Sequence, residues 1–355
     1  MPIPPLYGHE GTRNRLVGAI ASGRLPQALL FEGPRGVGKQ RLALWLAQAL
    51  VCENPGTGKG ETGKGEPCGA CQPCRLVLNL SHPDVHWFVP LEPSKKSGDA
   101  DKQVDVAEEA LAMEMAARRE HPLYEPPSGL AIHGIAAIRL LLRRLALKPA
   151  LGQRNVFVIG DAERLVPQVG TEAAANALLK ALEEPPPNTV FVLTAAEPDA
   201  LLPTILSRVV RVRVARHADS IVAAFVQREL GVAGQRAVAQ RVAAAEGSIG
   251  RVLAEGERQD RGGEAAERFA AAVKAGPVQR YAFALGQQPF QARGGFTEML
   301  DGLLERLREQ ARSGEETGRV VRAIAQVLEA RTLAQGNLNP QLVAAVLGSD
   351  LGTAG

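Results

Sequence analysis

The chain has 355 residues, 45% hydrophobic and 22% charged, which gives length for two or three domains and excludes collagen-like, low-complexity and disulfide-scaffold classes. Forty-one Lys and Arg against 38 Asp and Glu leave a net charge of +3, too small for a surface devoted to coating nucleic acid, although a local basic stripe is compatible with it. No run of about 18 apolar residues occurs, and Met1 to Gly11 has neither a basic n-region nor an apolar h-region, so the expectation is a cytoplasmic protein with no membrane contact.

In chain order, Gln27 to Phe31 is a short apolar run that meets the glycine-rich turn Gly33-Pro-Arg-Gly36-Val-Gly38-Lys39. Leu42, Trp45, Leu46, Ala49 and Leu50 then recur at helical spacing, so the order is strand, loop, helix. Cys52, Cys68, Cys71 and Cys74 follow with spacing C-x15-C-x2-C-x2-C. Residues 95–128 are charged, alanine-rich and flanked by prolines; they read as an insertion with a solvated helix in its middle. Asn155 to Ile159 is a second strand, ending at Gly160 and Asp161, and Thr189 to Thr194 a third. Between them Thr171 can cap a helix through Leu178, Leu179 and Leu182 that Pro185-Pro186-Pro187 stops. Strands alternating with helices predict a parallel α/β sheet. Beyond Arg216 the pattern is helical, with Leu300, Leu303, Leu304 and Leu307 on one face and Ile324, Val327 and Leu328 on another. The stretch Gly256 to Gly263 reads as a hinge between helical parts.

The turn ending in Lys39 and Gln40 fits a phosphate-binding loop at every position except the last. Glycines let backbone N–H groups wrap phosphate oxygens at a helix N-terminus, with Gly33, Gly36, Gly38 and Lys39 as the candidate nucleotide-binding residues. The usual final Ser or Thr holds Mg²⁺ through its hydroxyl, and Gln40 stands there instead. The second half of such a site needs a strand ending in Asp-Glu; here Asp161 is followed by Ala162, with Glu163 one position late. Both departures argue against ATP hydrolysis, while passive nucleotide binding stays open, and a shifted base at Glu163 is the reading an active ATPase would need. The four cysteines predict a closed structural Zn²⁺ site, with an iron–sulfur cluster as the competing reading; His82 and His86, near His82-Pro83-Asp84, are expected to pack or cap the following turn rather than to ligate. Arg208 ends Thr204-Ile-Leu-Ser-Arg208 after the third strand, a placement that suits an arginine finger for a neighbour's phosphate.

Together Leu25 to Lys39, the cysteine cluster, His82-Pro-Asp84, Asn176-Ala-Leu-Leu-Lys-Ala-Leu-Glu-Glu-Pro-Pro186 and Thr204 to Arg208 resemble the bacterial clamp-loader AAA+ ATPases, and within them the delta prime branch. Leu328-Glu-Ala-Arg331 followed by Asn337-Leu-Asn-Pro340 extends the resemblance towards the C-terminus, leaving out residues 95–128. The resemblance implies a RecA-like P-loop domain with an embedded zinc module over 1–215, a small helical lid over 216–257 and a helical collar over 258–355. It implies a rigid, non-hydrolysing subunit of a five-membered ring, partnered by gamma/tau motor subunits and the delta subunit, acting with the sliding clamp on primer-template DNA at the nucleoid. By the same analogy Arg208 is inserted into the adjacent motor's ATP site, and Val209, where the family has Cys, costs packing rather than function. The lid motif Gly247-Ser-Ile-Gly250 defers to position 251 the Arg that motors carry.

Overall fold

The computed structural model describes residues 3–56, 65–93, 99–120, 131–166, 172–258, 262–288, 295–312, 317–336 and 338–353. Thr171, Asn337 and the outer parts of the 95–128 insertion lie outside them. The chain divides into two compact units, one up to Leu253 and one from Ala254 onward.

In the first unit α1 (Glu10–Ala21) precedes β1 (Ala28–Glu32), then α2 (Lys39–Val51), α3 (Gln72–Leu78), β2 (Val85–Phe88), α4 (Ala100–Glu120) and α5 (Ile135–Leu145). Next come β3 (Asn155–Ile159), a 3₁₀ turn over Ala162–Leu165, α6 (Ala173–Glu183), β4 (Thr189–Ala195), α7 (Pro203–Leu206) and β5 (Val210–Arg213). The helices α8 (Asp219–Arg228) and α9 (Gln235–Ala245) follow, and then α10 (Ile249–Arg258), within which the division between the units falls. The five strands form one parallel sheet in the order β2-β3-β4-β1-β5. Its inner strands are buried along their length because helices cover both faces, so they read as apolar runs rather than alternating ones. Phe157 and Phe191 stack across β3 and β4 at 5.4 Å between ring centroids.

Two strands carry no such run. The edge strand β2 is only four residues long, and β5 is Val-Arg-Val-Arg with most of its residues exposed, Arg211 pairing with Glu32 across to β1 at 2.6 Å. The insertion does contain a solvated helix: α4 buries Val104 and Leu111 and docks on α5 through Arg143–Asp105 at 3.2 Å and Arg144–Glu108 at 2.7 Å.

The second unit packs α11 (Gly262–Ala275), α12 (Pro277–Leu285), α13 (Gly295–Arg312), α14 (Thr317–Gln335) and α15 (Pro340–Thr353) around Phe269, Phe296, Leu300, Leu304, Val327 and Leu347. The expected α13 face is borne out, with Leu307 partly buried at its end. On α14 the buried face is Val320, Ala323, Val327, Ala330 and Ala334, so Leu328, expected beside Val327, stands outside at 43% exposure. Helical spacing explains this, since one residue turns the chain by about 100° away from the 320, 323, 327 stripe. Of the stretch expected as a hinge, Gly256 lies within α10 and Gly262 and Gly263 open α11, while 259–261 lie outside the described residues.

His82-Pro83-Asp84 fixes the start of β2. The buried Asp84 carboxylate accepts backbone N–H bonds from Ala150 (2.5 Å), Leu151 (2.8 Å) and Gly152 (2.6 Å), holding the turn before β3. His82 Nδ1 accepts the Asp84 N–H at 3.1 Å, and the His86 ring lies 4.8 Å from that of Phe157. Burial pushes the Asp84 carboxyl up, but the three N–H donors and then His82 outweigh it and hold the group below the ordinary carboxylate range. A depressed folded pKa adds stability above the unfolded value of about 3.9, lost as pH falls through the folded one. Asp84→Asn, which turns an NH₂ towards N–H donors, is expected to cost about 2 kcal/mol in urea unfolding at pH 7. The deficit relative to the unsubstituted chain should shrink below about pH 4, and a pH-independent deficit would remove the carboxylate from this role.

Candidate functional site

The C-terminal ends of β1, β3 and β4 meet at the loop between β1 and α2, the crevice where an open parallel sheet places ligands. Gly33 donates its N–H to the Ala195 carbonyl at 3.2 Å, and Gly38, at φ +89°, starts α2. Lys39 is buried and its Nζ donates to the carbonyls of Gly33 and Pro34, both at 2.8 Å. Burial brings the Lys39 ammonium down to about 8, against the opposing pull of Asp161 and Glu163.

Gln40 lies against the end of β3. Its Nε2 donates to Asp161 Oδ2 at 3.0 Å, and its amide fills the space beside Gly160 so closely that a Cβ there would come within 2.6 Å of it. The carboxylate that would support Mg²⁺ is thus already bonded by a neutral amide. Asp161 sits in the left-handed region at φ 48° and donates its N–H to Thr194 Oγ1 at 3.1 Å. Ala162, at the position expected for a catalytic Glu, is fully buried in the core. Glu163 is turned away from solvent and its Oε1 accepts the Ala196 N–H at 3.1 Å; burial first, then Asp161, raises its carboxyl.

The segment 247–250 closes on the same loop, a feature the sequence reading noted only for its missing Arg. Gly250 donates its N–H to the Gly36 carbonyl at 2.8 Å and Ser248 Oγ donates to the Arg35 carbonyl at 2.9 Å. A Cβ on Gly36 would lie 2.4 Å from Ser248 Oγ and 2.8 Å from Gly250 Cα. Arg251 turns to Glu246, Nη1 to Oε2 at 2.5 Å. Next to it, His9 Nε2 meets the Val37 carbonyl at 2.7 Å and its ring stands 4.3 Å from His217. Burial and then the His9 charge hold the His217 ring down to about 4, and burial lowers His9 as well. Two well-separated histidines give no periodic signal; the Gly247/Gly250 spacing was the one available hint of close backbone approach.

The cysteines converge as their spacing predicted. Cys52 follows α2, Cys71 caps α3, Cys74 is buried within it, and all four Sγ atoms lie within 4.8 Å of one another. Cys68 and Cys74 sulfurs are 3.9 Å apart, close to the ~3.8 Å edge of a tetrahedral shell with zinc–sulfur bonds of about 2.3 Å. His82 and His86 are not among the gathered ligands. Burial opposes ionisation at Cys68, yet the Cys71 and Ala70 N–H groups, with the Cys71 and Cys52 thiols, bring it down to about 6; burial and the same cluster push Cys74 up. Four sulfurs gathered this closely form a donor set that fits a dication. The module is fastened to α1 by a pair between Arg13 and Glu66 and by Gly65, whose missing side chain admits Val17.

Arg208 lies just past α7 on the surface. Its Nε and Nη2 both donate to Glu183 Oε1 at the end of α6, the Nε bond at 2.7 Å, and its Nη1 donates to the Thr204 carbonyl at 2.7 Å and Ser207 Oγ at 3.2 Å. Val209 beside it is buried in the core.

The sequence profile of the family described as "DNA polymerase III, delta subunit" matches residues 8–218. The chain is 33% identical over 194 residues to DNA polymerase III subunit delta' of Yersinia pestis, covering 55% of this chain and 43% of that one. It is 31% identical over 203 residues to DNA polymerase III subunit gamma/tau of Mycobacterium tuberculosis, covering 57% and 27%. The matched stretch therefore spans less than half of each relative. A crystal structure of a DNA polymerase III gamma subunit-related protein from Thermotoga maritima superposes with a TM-score of 0.46 at 17% identity, over 97% of this chain and 98% of that one. For the cysteine cluster the expected outcome is about one zinc per chain in protein purified without added metal, and loss of that zinc in Cys74→Ser. A brown chromophore in place of zinc would identify an iron–sulfur cluster instead.

Proposed function

Because the chain belongs to the DNA polymerase III delta-subunit family, we propose that it is a non-hydrolysing subunit of the replicative clamp loader that completes a neighbouring motor subunit's ATP site with Arg208. The observation that carries this reading is the Gln40–Asp161 bond. It puts an amide where a phosphate loop needs a hydroxyl and engages the carboxylate that would otherwise hold Mg²⁺. Relatives named delta' and gamma/tau match at similar identity, so the choice between a passive subunit and a motor rests on this site rather than on similarity.

Residues 1–215 then act as the P-loop domain carrying a structural zinc on Cys52, Cys68, Cys71 and Cys74. Residues 216–257 act as the lid that lies on the phosphate loop, and 258–355 as the collar that joins the gamma/tau and delta subunits. The sliding clamp and primer-template DNA are engaged through the assembled ring in the cytoplasm, at the nucleoid. Arg208 suits its role chemically because a guanidinium presents a planar fork to phosphate oxygens and neutralises charge developing in phosphoryl transfer.

The purified chain is expected to hydrolyse ATP at background rate with Mg²⁺, clamp and primed DNA, and to support stimulated hydrolysis when mixed with gamma/tau and delta subunits. Arg208→Ala should slow single-turnover hydrolysis at the adjoining site about 10³-fold or more. Robust turnover by the chain alone, abolished by Lys39→Ala, would make it a motor and overturn the proposal.

A further inference from the structure

The guanidinium of Arg208 is not held out in solvent. Glu183 takes Nε and Nη2 on one carboxylate oxygen, while the Thr204 carbonyl and Ser207 Oγ take Nη1, so four of its five N–H directions have acceptors inside this chain. The Thr204 and Ser207 bonds are local, four residues and one residue away, and travel with Arg208. Glu183 is different: it lies 25 residues back, at the end of another helix, and claims the Nε–Nη2 edge with which an arginine grips an oxyanion. A carboxylate and a phosphate are rival acceptors for that edge, and both cannot take it at once.

We propose that Glu183 is a positioning residue that parks Arg208, and that engagement of a neighbour's nucleotide exchanges the Glu183 carboxylate for phosphate oxygens. This rests on the reading of Arg208 as a finger acting in trans. The exchange is feasible because the pair is half exposed, Arg208 at 29% and Glu183 at 45%. A partner ion pair in that setting is weak enough to give way to a multiply charged phosphate. Only the fraction of chains with the finger released is competent, so the parked population raises the nucleotide concentration needed for engagement without altering the engaged site.

The test measures ATP hydrolysis by the full chain reconstituted with gamma/tau and delta subunits, clamp and primed DNA. Glu183→Gln keeps the size of the side chain and removes its charge. It is expected to lower the KM for ATP by up to about fivefold with kcat within about twofold of the original, and Glu183→Asp, which keeps a carboxylate, to fall between. In an Arg208→Ala background Glu183→Gln should have no effect, which a merely structural role in ending α6 would not produce. If Arg208→Ala leaves hydrolysis unchanged, both the finger and the parking role are overturned. If Arg208→Ala abolishes stimulation while Glu183→Gln leaves KM unchanged or raises it, the finger stands and the parking role fails.

Discussion

Gly250 meets Gly36 backbone to backbone, and this contact fixes the conformation of the loop between β1 and α2. The N–H of one bonds the carbonyl of the other at 2.8 Å, and a Cβ on either residue would come within 2.8 Å of the opposite Cα. Such an approach requires two glycines, so it is written into the sequence at both ends. Ser248 adds a second bond to the loop one residue earlier, at the Arg35 carbonyl. The Arg35 and Gly36 carbonyls are thereby taken by 247–250, and those of Gly33 and Pro34 by Lys39. These bonds all end on loop carbonyls, so the N–H groups that could converge on an anion are not among the atoms they take.

The parallel sheet brings this arrangement about. β1 lies between β4 and β5, and β3 borders β4, so the residues that leave their C-terminal ends share one crevice. Gly33 ties to Ala195 and Asp161 ties to Thr194, which fixes loop and carboxylate relative to each other before any ligand is considered. On the far edge, Asp84 anchors the turn before β3 with three N–H bonds. The cysteine cluster fastens the segment after α2 to α3. Each of these devices limits conformational freedom near the sheet at low entropic cost, since the partners are held by neighbouring regular elements.

The central sheet was legible in the amino-acid order because fully buried strands leave continuous apolar runs: β3 was read with its observed ends, and β1 and β4 to within one residue. β2 and β5 were not, since an edge strand of four residues with an interior His, or one that alternates Val and Arg on the surface, has no run to read. The cysteines were legible because tight spacing forces sulfurs together. Gln40 and Ala162 were legible as departures from a pattern, but the amide's bond to Asp161 was not, since 121 residues separate the partners. Glu183 escaped notice for the same reason, 25 residues before the Arg it holds.

Lys39 and the glycines of the loop have structural roles in these contacts. Lys39 bridges the carbonyls of Gly33 and Pro34, and the charges of Asp161 and Glu163 oppose the effect of burial on its ammonium. Gly36 is required by Gly250, and a Cβ on Gly33 would lie 2.1 Å from the Val214 carbonyl. The packing of the loop therefore constrains its sequence independently of any nucleotide chemistry. A phosphate-loop motif read from sequence reports the fold of the loop, whereas the residue after its lysine reports whether the loop can hold a metal.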